Sequence, residues 1–185
     1  MTKEENCIVL DFLPHGYADR RHAEPTAQAI GTQFFTLLEL VPREDITLRQ
    51  EEEVYIGDGK RDKIRFIKGQ VEYKSLTNVA QRVLVETIEK LVRHNEQRFV
   101  EFFNKATTIT PRMHQFQLLP GVGKKHLMDI LDERRKKPFE SFDDISKRVK
   151  LFPDPVKSVV KRVQQELEND EKYYLFVTKT KKRWE

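Results

Sequence analysis

The sequence predicts an α+β fold in which a strand-rich first part precedes a helical second part. Three runs in the first part are apolar and partly β-branched, as strands are: residues 6–14, 28–41 and 63–73. From residue 78 onward the apolar residues recur at helical spacing instead. We therefore expect three segments, a β-barrel over 1–77, a linking helix over 78–106 and an all-helical domain over 107–170.

Turn signals separate the strands of the first part. Gly31 marks a bend within the second run, and Gly57-Asp58-Gly59 predicts a hairpin that joins residues 54–56 to the run over 63–73. A change of apolar face near Gly69 indicates a β-bulge that turns the sheet. Four strands with a long first loop, tight turns and a bulge resemble a small curled barrel of the OB type.

Residues 172–179 include a further strand-like run late in the chain. A strand there cannot pair within a helical domain, so we expect it to return to the barrel and close an open edge. The basic stretch beyond it is either an arm for nucleic acid or a solubilising end.

The linking segment has an apolar stripe that begins after Asn78, and the polar residues 94–97 interrupt it. The pattern predicts either one long helix or two helices joined near Asn95. Asn78 with Gln81 resembles a capping box at its start. Beyond the interruption we expect three phenylalanines at helical spacing to lie in the core: Phe99, Phe102 and Phe103.

Charge is nearly balanced over the 185 residues, with a net charge of +4, but it is unevenly distributed. Residues 1–77 carry 11 Lys and Arg against 14 Asp and Glu, whereas residues 111–165 carry 13 against 7. The positive excess of the second segment is typical of a surface that binds a polyanion. Surface ion pairs of hyperthermophile proteins would explain the number of charges but not this separation.

Composition excludes several classes of protein. The lone Cys7 cannot form an intrachain disulfide or a cysteine-based metal cluster within one chain, and it fits a reducing compartment. No apolar run approaches the length of a membrane span, and the N-terminus lacks the pattern of a signal peptide. We therefore expect a cytoplasmic protein with no membrane partner.

The most informative stretch is Leu118-Leu119-Pro120-Gly121-Val122-Gly123-Lys124-Lys125. It follows a predicted helix that begins near residue 110, and it precedes a second helix with an apolar stripe over 127–131. Glycines permit positive φ and close backbone approach, and the second helix presents unpaired N–H groups at its start. Such a helix start, with two lysines beside it, favours one phosphate group. The alternative is a plain connecting turn between two packed helices.

An apolar residue followed by Pro-Gly-Val-Gly resembles the helix-hairpin-helix motif. In that family the hairpin amides hold backbone phosphates of nucleic acid without reading sequence. The resemblance implies phosphate contacts from the backbone of Gly121, Gly123 and Lys125. It also implies a possible monovalent cation, held as in some members by the carbonyls of Gln117, Leu119 and Val122. No other cofactor is expected.

Further cations flank this motif. Arg134 and Arg135 end the second helix, where they either contact phosphate or form a solvated helix end. A second pair of helices, capped by Ser141, lacks glycines in its turn, so we expect a tandem of two hairpins whose second member is structural. The candidate nucleic-acid contacts, which include two arginines of the first barrel loop and two lysines of the last helix, are Leu119, Pro120, Gly121, Val122, Gly123, Lys124, Lys125, Arg134, Arg135, Lys157, Lys161, Arg20 and Arg21.

Other chemistries have weaker support. DNA glycosylases with this hairpin use a lysine and a later aspartate, and Lys125 and Asp143 stand at comparable places. The residues around Asp143 do not match, and the second helical subdomain that forms a base-flipping pocket is missing, which argues against a glycosylase or lyase. An adaptor that docks a basic protein through the acidic barrel is the main alternative to nucleic-acid binding.

Two groups of residues in the predicted barrel are weaker candidates for a site. The first loop holds two histidines and two carboxylates without the fixed spacing that a metal site needs: His15, Asp19, His22 and Glu24. Three aromatic residues are candidates for stacking on bases, but the negative charge of the barrel favours core packing for them: Tyr55, Phe66 and Tyr73.

The order of barrel strands, linking helix and two hairpins resembles an archaeal family of uncharacterised proteins that are predicted to bind RNA. The residues that carry this resemblance are 9–14, 28–31, 35–40 and 118–125. It implies the architecture and favours RNA over DNA, although an amide pocket for phosphate does not sense the 2′-hydroxyl group. The sequence therefore predicts a non-catalytic nucleic-acid-binding protein.

Overall fold

The computed structural model describes residues 3–18 and 24–178 of the chain. Contacts divide the chain into two compact units, one formed by Met1–Thr87 with Glu166–Glu185 and the other by Ile88–Gln165. None of the helices within the described ranges is both long and apolar enough to cross a membrane.

The first unit is built on five antiparallel strands, β1 (Asn6–Leu13), β2 (Thr26–Gly31), β3 (Leu37–Pro42), β4 (Glu53–Tyr55) and β5 (Ile64–Gln70). Their spatial order is β4-β1-β2-β3-β5. Register shifts interrupt the β1–β2 ladder once and the β3–β5 ladder twice. These irregularities bend the strands, and the sheet curls into a half-barrel.

The core of this unit is made of small and branched side chains: Cys7, Val9, Ala27, Ala29, Leu38, Leu40, Leu48, Val54, Ile56 and Ile64. Burial raises the pKa of the Cys7 thiol, so this residue stays neutral and packs as an apolar group. All of β2 and β3 is buried, and the polar members are paired. The Gln28 side chain donates to the Tyr17 hydroxyl (2.7 Å), and that hydroxyl also donates to Glu39.

The expected hairpin between β4 and β5 is wrong. β4 pairs with β1 and β5 pairs with β3, so the two strands form opposite edges of the sheet. The turn at residues 57–59 exists, and the Gly59 amide donates to the Tyr55 hydroxyl (3.0 Å). It nevertheless leads from one edge to the other. Turn residues determine where the chain reverses its direction. Which strands pair depends on the edges that the other strands of the sheet leave free.

Two aromatic side chains of the sheet lie outside the core, contrary to expectation. Tyr55 and Phe66 belong to the edge strands β4 and β5, and they are 38% and 37% exposed. Strand side chains project from the two faces of the sheet, so these two rings lie where the described chain covers a face only in part. The third aromatic, Tyr73, is half-buried in a 3-10 turn (Tyr73–Ser75), and burial raises the pKa of its hydroxyl.

The expected closing strand over 172–179 is wrong for the residues that the structure describes, because 172–178 contain no strand. The segment does return to the first unit, where the Thr178 amide donates to the Phe34 carbonyl (3.3 Å). The buried carboxylate of Glu166 accepts from three consecutive amides, those of Leu175 (2.7 Å), Phe176 (3.0 Å) and Val177 (2.9 Å). One side chain thus satisfies the amides that a strand partner would have bonded.

Five α-helices follow the sheet: α1 (Asn78–His94), α2 (Glu96–Lys105), α3 (Lys124–Lys136), α4 (Phe142–Arg148) and α5 (Pro155–Glu168). The linking segment is therefore two helices, and they are separated at Asn95, whose backbone (φ −102°, ψ 35°) departs from helical geometry and whose side-chain amide donates to the Leu91 carbonyl (3.0 Å). α1 is capped by Thr77 rather than by Asn78, since the Thr77 hydroxyl accepts from the Ala80 amide (3.0 Å).

The helix expected before the glycine turn is wrong. A short ladder of β6 (Thr108–Thr110) with β7 (Met113–His114) and a 3-10 helix (Gln115–Leu118) occupy that segment. The helical start is fixed at His114, whose Nδ1 accepts from the Phe116 amide (3.1 Å) while Gln117 accepts from the His114 amide (2.8 Å). Only four residues then remain before Leu119 and Pro120, too few for an α-helix.

The core of the second unit lies beneath this segment. Phe103 stacks on Phe116 with ring centroids 5.5 Å apart, and Phe152 meets Phe103 edge-on at 6.1 Å. Phe99 and Phe103 are fully buried, which confirms them as core residues, and Phe102 is half-buried and packs edge-on against Phe116.

Candidate nucleic-acid interface

The glycine hairpin is a tight turn held by two buried anchors. Leu119 and Val122 are 2% and 9% exposed. The Leu119 amide donates to the Phe116 carbonyl (3.0 Å), and the Val122 amide donates back to the Leu119 carbonyl (3.1 Å). Proline followed by a glycine with φ of +84° at Gly121 fits the two central positions of a type II turn.

The two glycines have different reasons to be glycine. Gly121 has positive φ, and a Cβ built on it would lie 2.9 Å from Cγ of Pro153, so a side chain is excluded there. Gly123 has an ordinary φ of −91°, and a Cβ on it would have no atom within 4 Å. Gly121 therefore shapes the turn, whereas Gly123 only keeps the approach to the start of α3 unobstructed.

The carbonyl side of the hairpin is occupied by neighbouring side chains. The Ser158 hydroxyl donates to the Pro120 carbonyl (3.4 Å), and the buried Arg162 guanidinium donates to the Leu118 carbonyl (3.4 Å). His126 places Nδ1 at 3.1 Å from the Gly121 carbonyl. These contacts fix the orientation of the turn, because the three carbonyls lie within hydrogen-bond distance of side-chain atoms.

The amide side faces solvent. Gly123 is the N-cap of α3 and provides no side-chain acceptor, and the first helical bond runs from the Leu127 amide to the Gly123 carbonyl (3.0 Å). The amides of Gly121, Gly123, Lys124 and Lys125 donate to no acceptor within residues 3–18 and 24–178, and all four residues are exposed. Unpaired N–H groups at the positive end of a helix dipole form a site for an anion.

The lysines around this helix start are also unpaired. Within the described chain no acidic side chain lies in ion-pair distance of five exposed lysines, Lys124, Lys125, Lys150, Lys157 and Lys161. Lys157 and Lys161 are i,i+4 neighbours on α5, and their row lies about 100° around the helix from Ser158 and Arg162, which contact the hairpin segment. At the far end of α3 and on α4, by contrast, five cations carry acidic partners: Arg135, Lys136, Lys137, Lys147 and Arg148.

Arg134 has a structural role that the sequence did not reveal. Its guanidinium donates to the carbonyls of Phe103 (3.2 Å) and Ala106 (2.8 Å) at the end of α2, and it lies over the Phe116 ring. Burial lowers the pKa of this guanidinium, and we leave Arg134 out of the interface because its Nη1 donates to those two carbonyls. Arg135 is exposed beside Asp132 (3.0 Å).

The remaining predicted residues are placed as follows. Arg20 and Arg21 lie outside the described residues, as do Asp19 and His22 of the possible metal set. Glu24 pairs with Arg65 (2.7 Å). Asp143 lies in the first turn of α4 and pairs with Lys147, and the cap expected at Ser141 is confirmed, since its hydroxyl accepts from the Asp144 amide (3.0 Å).

The described residues form no cluster of side chains that would bind a metal ion. Of the residues described, no three His, Cys, Asp or Glu side chains converge as metal ligands. The cation expected at the carbonyls of Gln117, Leu119 and Val122 stays a prediction, and the Leu119 carbonyl already accepts one hydrogen bond.

Residues 3–178 match the model of a family described as a protein of unknown function, DUF655. The chain belongs to the DUF655 family. It is 43% identical over 176 residues to the uncharacterized protein MJ0038 of Methanocaldococcus jannaschii, and this match covers 94% of this chain and 80% of MJ0038. The crystal structure of Af1531, a DUF655 protein from Archaeoglobus fulgidus, is 43% identical and has a TM-score of 0.87, with 95% of this chain and all of that one covered. The expected resemblance to an uncharacterised archaeal family is confirmed.

Proposed function

We propose that this DUF655 protein is a non-catalytic nucleic-acid-binding protein that holds backbone phosphates at the start of α3. Phosphate oxygens would accept from the amides of Gly123, Lys124 and Lys125, and the lysine side chains would neutralise their charge. Contacts of this kind carry no sequence information, so the binding would be independent of sequence.

The observation that carries the proposal is the asymmetry of the hairpin. The carbonyls of Leu118, Pro120 and Gly121 lie within hydrogen-bond distance of side chains of α5 and of His126. The amides of Gly123, Lys124 and Lys125 belong to exposed residues and make no hydrogen bond within the described part of the chain. Exposed amides at a helix start bond to water when no side chain caps them, and such a group, fixed by the turn, is complementary to an anion. The unpaired lysines on the same part of the unit extend that complementarity.

The same proposal includes an OB-like barrel and a tandem of two helix-hairpin-helix units. A partly open five-stranded sheet suits an OB-like barrel, and the turns before α3 and α5 suit a tandem of two helix-hairpin-helix units, the first with a 3-10 helix in place of its first α-helix. We propose RNA over DNA because of the resemblance to predicted RNA-binding proteins.

A salt titration tests the proposal. Fluorescein-labelled 20-nucleotide RNA and DNA, single- and double-stranded, are titrated with the full chain and followed by anisotropy at several salt concentrations. We expect log affinity to fall linearly with log salt, with a slope of about −0.7 to −0.9 per phosphate contact. A Lys124→Ala/Lys125→Ala variant should bind about tenfold more weakly and have a slope that is smaller by about 2.

The matched control is Arg135→Ala/Lys136→Ala. It removes the same formal charge from the other end of α3, where both cations have acidic partners. Its affinity should stay within about twofold of wild type, since the charges it removes were already neutralised. Equal losses of affinity in the two variants would mean that net charge, rather than the position of the lysines at the start of α3, determines binding. Absence of binding to every probe would reject the proposal and leave the protein-adaptor alternative.

The adaptor alternative has little structural support within the first unit. Carboxylates on the sheet side pair with local cations, as in Lys3–Asp58, Lys63–Glu52 and Arg65–Glu24. These pairs reduce the negative charge available to a basic partner.

A further inference from the structure

The imidazole ring of His126 lies between the two turns of the second unit. This residue belongs to the first turn of α3, and its Nδ1 lies 3.1 Å from the carbonyl oxygen of Gly121 in the glycine hairpin. Its Nε2 lies 2.9 Å from the carbonyl oxygen of Leu151 in the turn between α4 and α5. Both ring nitrogens are therefore within hydrogen-bond distance of a backbone acceptor.

Packing orients the ring toward these two carbonyls. Phe152 meets the His126 ring edge-on, with centroids 5.9 Å apart and an angle of 81° between the planes. The same Phe152 meets Phe103 of the core edge-on. The two turns also approach each other directly, since a Cβ on Gly121 would lie 2.9 Å from Cγ of Pro153. The ring of His126 thus joins two turns that already pack together.

The chemistry of the two partners makes the protonation state of His126 decisive. A carbonyl oxygen only accepts hydrogen bonds, so each contact needs a proton on the ring nitrogen. Neutral imidazole has one N–H group and one lone pair, whereas imidazolium has two N–H groups. The neutral ring can therefore donate to one carbonyl and places a lone pair against the other. Only the protonated ring donates to both.

No carboxylate in the described part of the chain lies in ion-pair distance of His126. The Asp154 carboxylate, in the neighbouring turn, accepts from the amides that start α5. Positive charge on the nearby lysines opposes protonation of the ring, and the two carbonyl acceptors favour it. The charged residues on the segments around the ring are Lys124, Lys125, Asp129, Lys150, Asp154 and Lys157.

We propose that His126 is a pH-sensitive clasp between the two turns. The protonated ring donates to both carbonyls and ties the glycine hairpin to the turn between α4 and α5. The neutral ring keeps the shorter contact, from Nε2 to Leu151, and releases the Gly121 carbonyl. Histidine side chains change charge between about pH 5 and 8, so acidification closes the clasp in that range. The clasp involves no ligand and is independent of the proposed function.

Carbonyl NMR of the full chain tests the clasp without any substitution. HNCO spectra report the carbonyl carbons of Gly121 and Leu151 through the amides of Val122 and Phe152, and long-range proton–nitrogen spectra report the protonation of each His126 nitrogen. From about pH 8 to about pH 5 we expect Nδ1 to gain a proton. The Gly121 carbon should move downfield with the same midpoint, because a hydrogen bond deshields it, and the Leu151 carbon should move little.

Hydrogen exchange measures the effect on the hairpin. The ratio of Val122 amide protection in wild type to that in His126→Phe should be near one at about pH 8 and about three to ten at about pH 5.5. Phenylalanine keeps a ring beside Phe152 and removes both donors. His94→Gln, which removes an exposed histidine at the end of α1, should behave like wild type. His114 is present in all three proteins, so its titration cancels in the ratio.

A Gly121 carbonyl signal that stays constant while His126 titrates would overturn the inference, as would equal protection ratios at the two pH values. A ring that stays neutral throughout the range would overturn it too. Movement of the Leu151 signal in place of the Gly121 signal would support the clasp, with the other turn as the one released.

Discussion

The helices that follow the two turns of the second unit start differently, α5 with a side-chain cap and α3 without one. In the second turn the Asp154 carboxylate accepts from the amides of Val156 (2.9 Å) and Lys157 (3.3 Å), so the start of α5 is closed by the chain itself. In the first turn Gly123 stands at the N-cap, and the start of α3 has no side-chain acceptor. Both helices form, one with its first amides bonded by a side chain and the other without such a bond, so a side-chain cap is not required for a helix in this unit.

The largest expected effect comes from copying the second turn into the first. In Gly123→Asp the new carboxylate would accept from the amides that start α3 and place negative charge where phosphate should bind. We expect nucleic-acid affinity to fall by about 10- to 100-fold, while stability rises by about 0.5 kcal/mol. Anisotropy and urea unfolding measure the two quantities.

A fall in affinity together with a rise in stability is the informative outcome of that experiment. Gly123→Ala is the control, because the space around a Cβ at this position is open and φ is ordinary. Its affinity and stability should stay close to wild type. Undiminished binding by Gly123→Asp would mean that the start of α3 holds no phosphate.

Gly121 should respond differently from Gly123. Gly121→Ala forces positive φ on a residue with a Cβ and brings that Cβ against Pro153. We expect a loss of about 2 kcal/mol in the free energy of unfolding, measured by urea denaturation. A loss as small as that of Gly123→Ala would show that the turn relaxes and that Gly121 does not determine its shape.

Opening the second turn should affect stability alone. Asp154→Ala removes the acceptor at the start of α5 and should cost about 1 kcal/mol in the free energy of unfolding. Nucleic-acid affinity should remain within twofold of wild type. Asp154→Asn, which keeps an acceptor oxygen, is the matched control and should recover most of the stability. A large loss of affinity in Asp154→Ala would make the second turn part of the interface.

The smallest effect should follow from pH. Burial, with a smaller contribution from Arg134, lowers the pKa of His114 below its ordinary 6.5. The unfolded chain therefore binds a proton first as pH falls, so stability should be fully present above about pH 6.5 and decrease below it, down to the lowered pKa. Urea midpoints between pH 5 and 7.5 measure this. His114→Asn, which keeps an N-cap acceptor without a titrating ring, should show a weaker dependence, and identical curves would contradict the assignment.

Local features of the fold followed from the sequence. The apolar run over 6–14 predicted β1, the stripe after Asn78 predicted α1, and Ser141 predicted the cap of α4, because each depends on neighbouring residues alone. The glycine hairpin could also be located, since Pro-Gly-Val-Gly restricts its own backbone.

Tertiary structure decided what the local signals left open. Which strands lie at the sheet edges, and that Glu166 rather than a strand binds residues 175–177, depend on groups distant in sequence. The site shows the same division. The sequence determined that glycine and two lysines stand at the start of α3. Only the tertiary structure decided that the hairpin carbonyls face donors and that these three residues stay exposed, because the donors Ser158 and Arg162 come from 38 and 44 residues away.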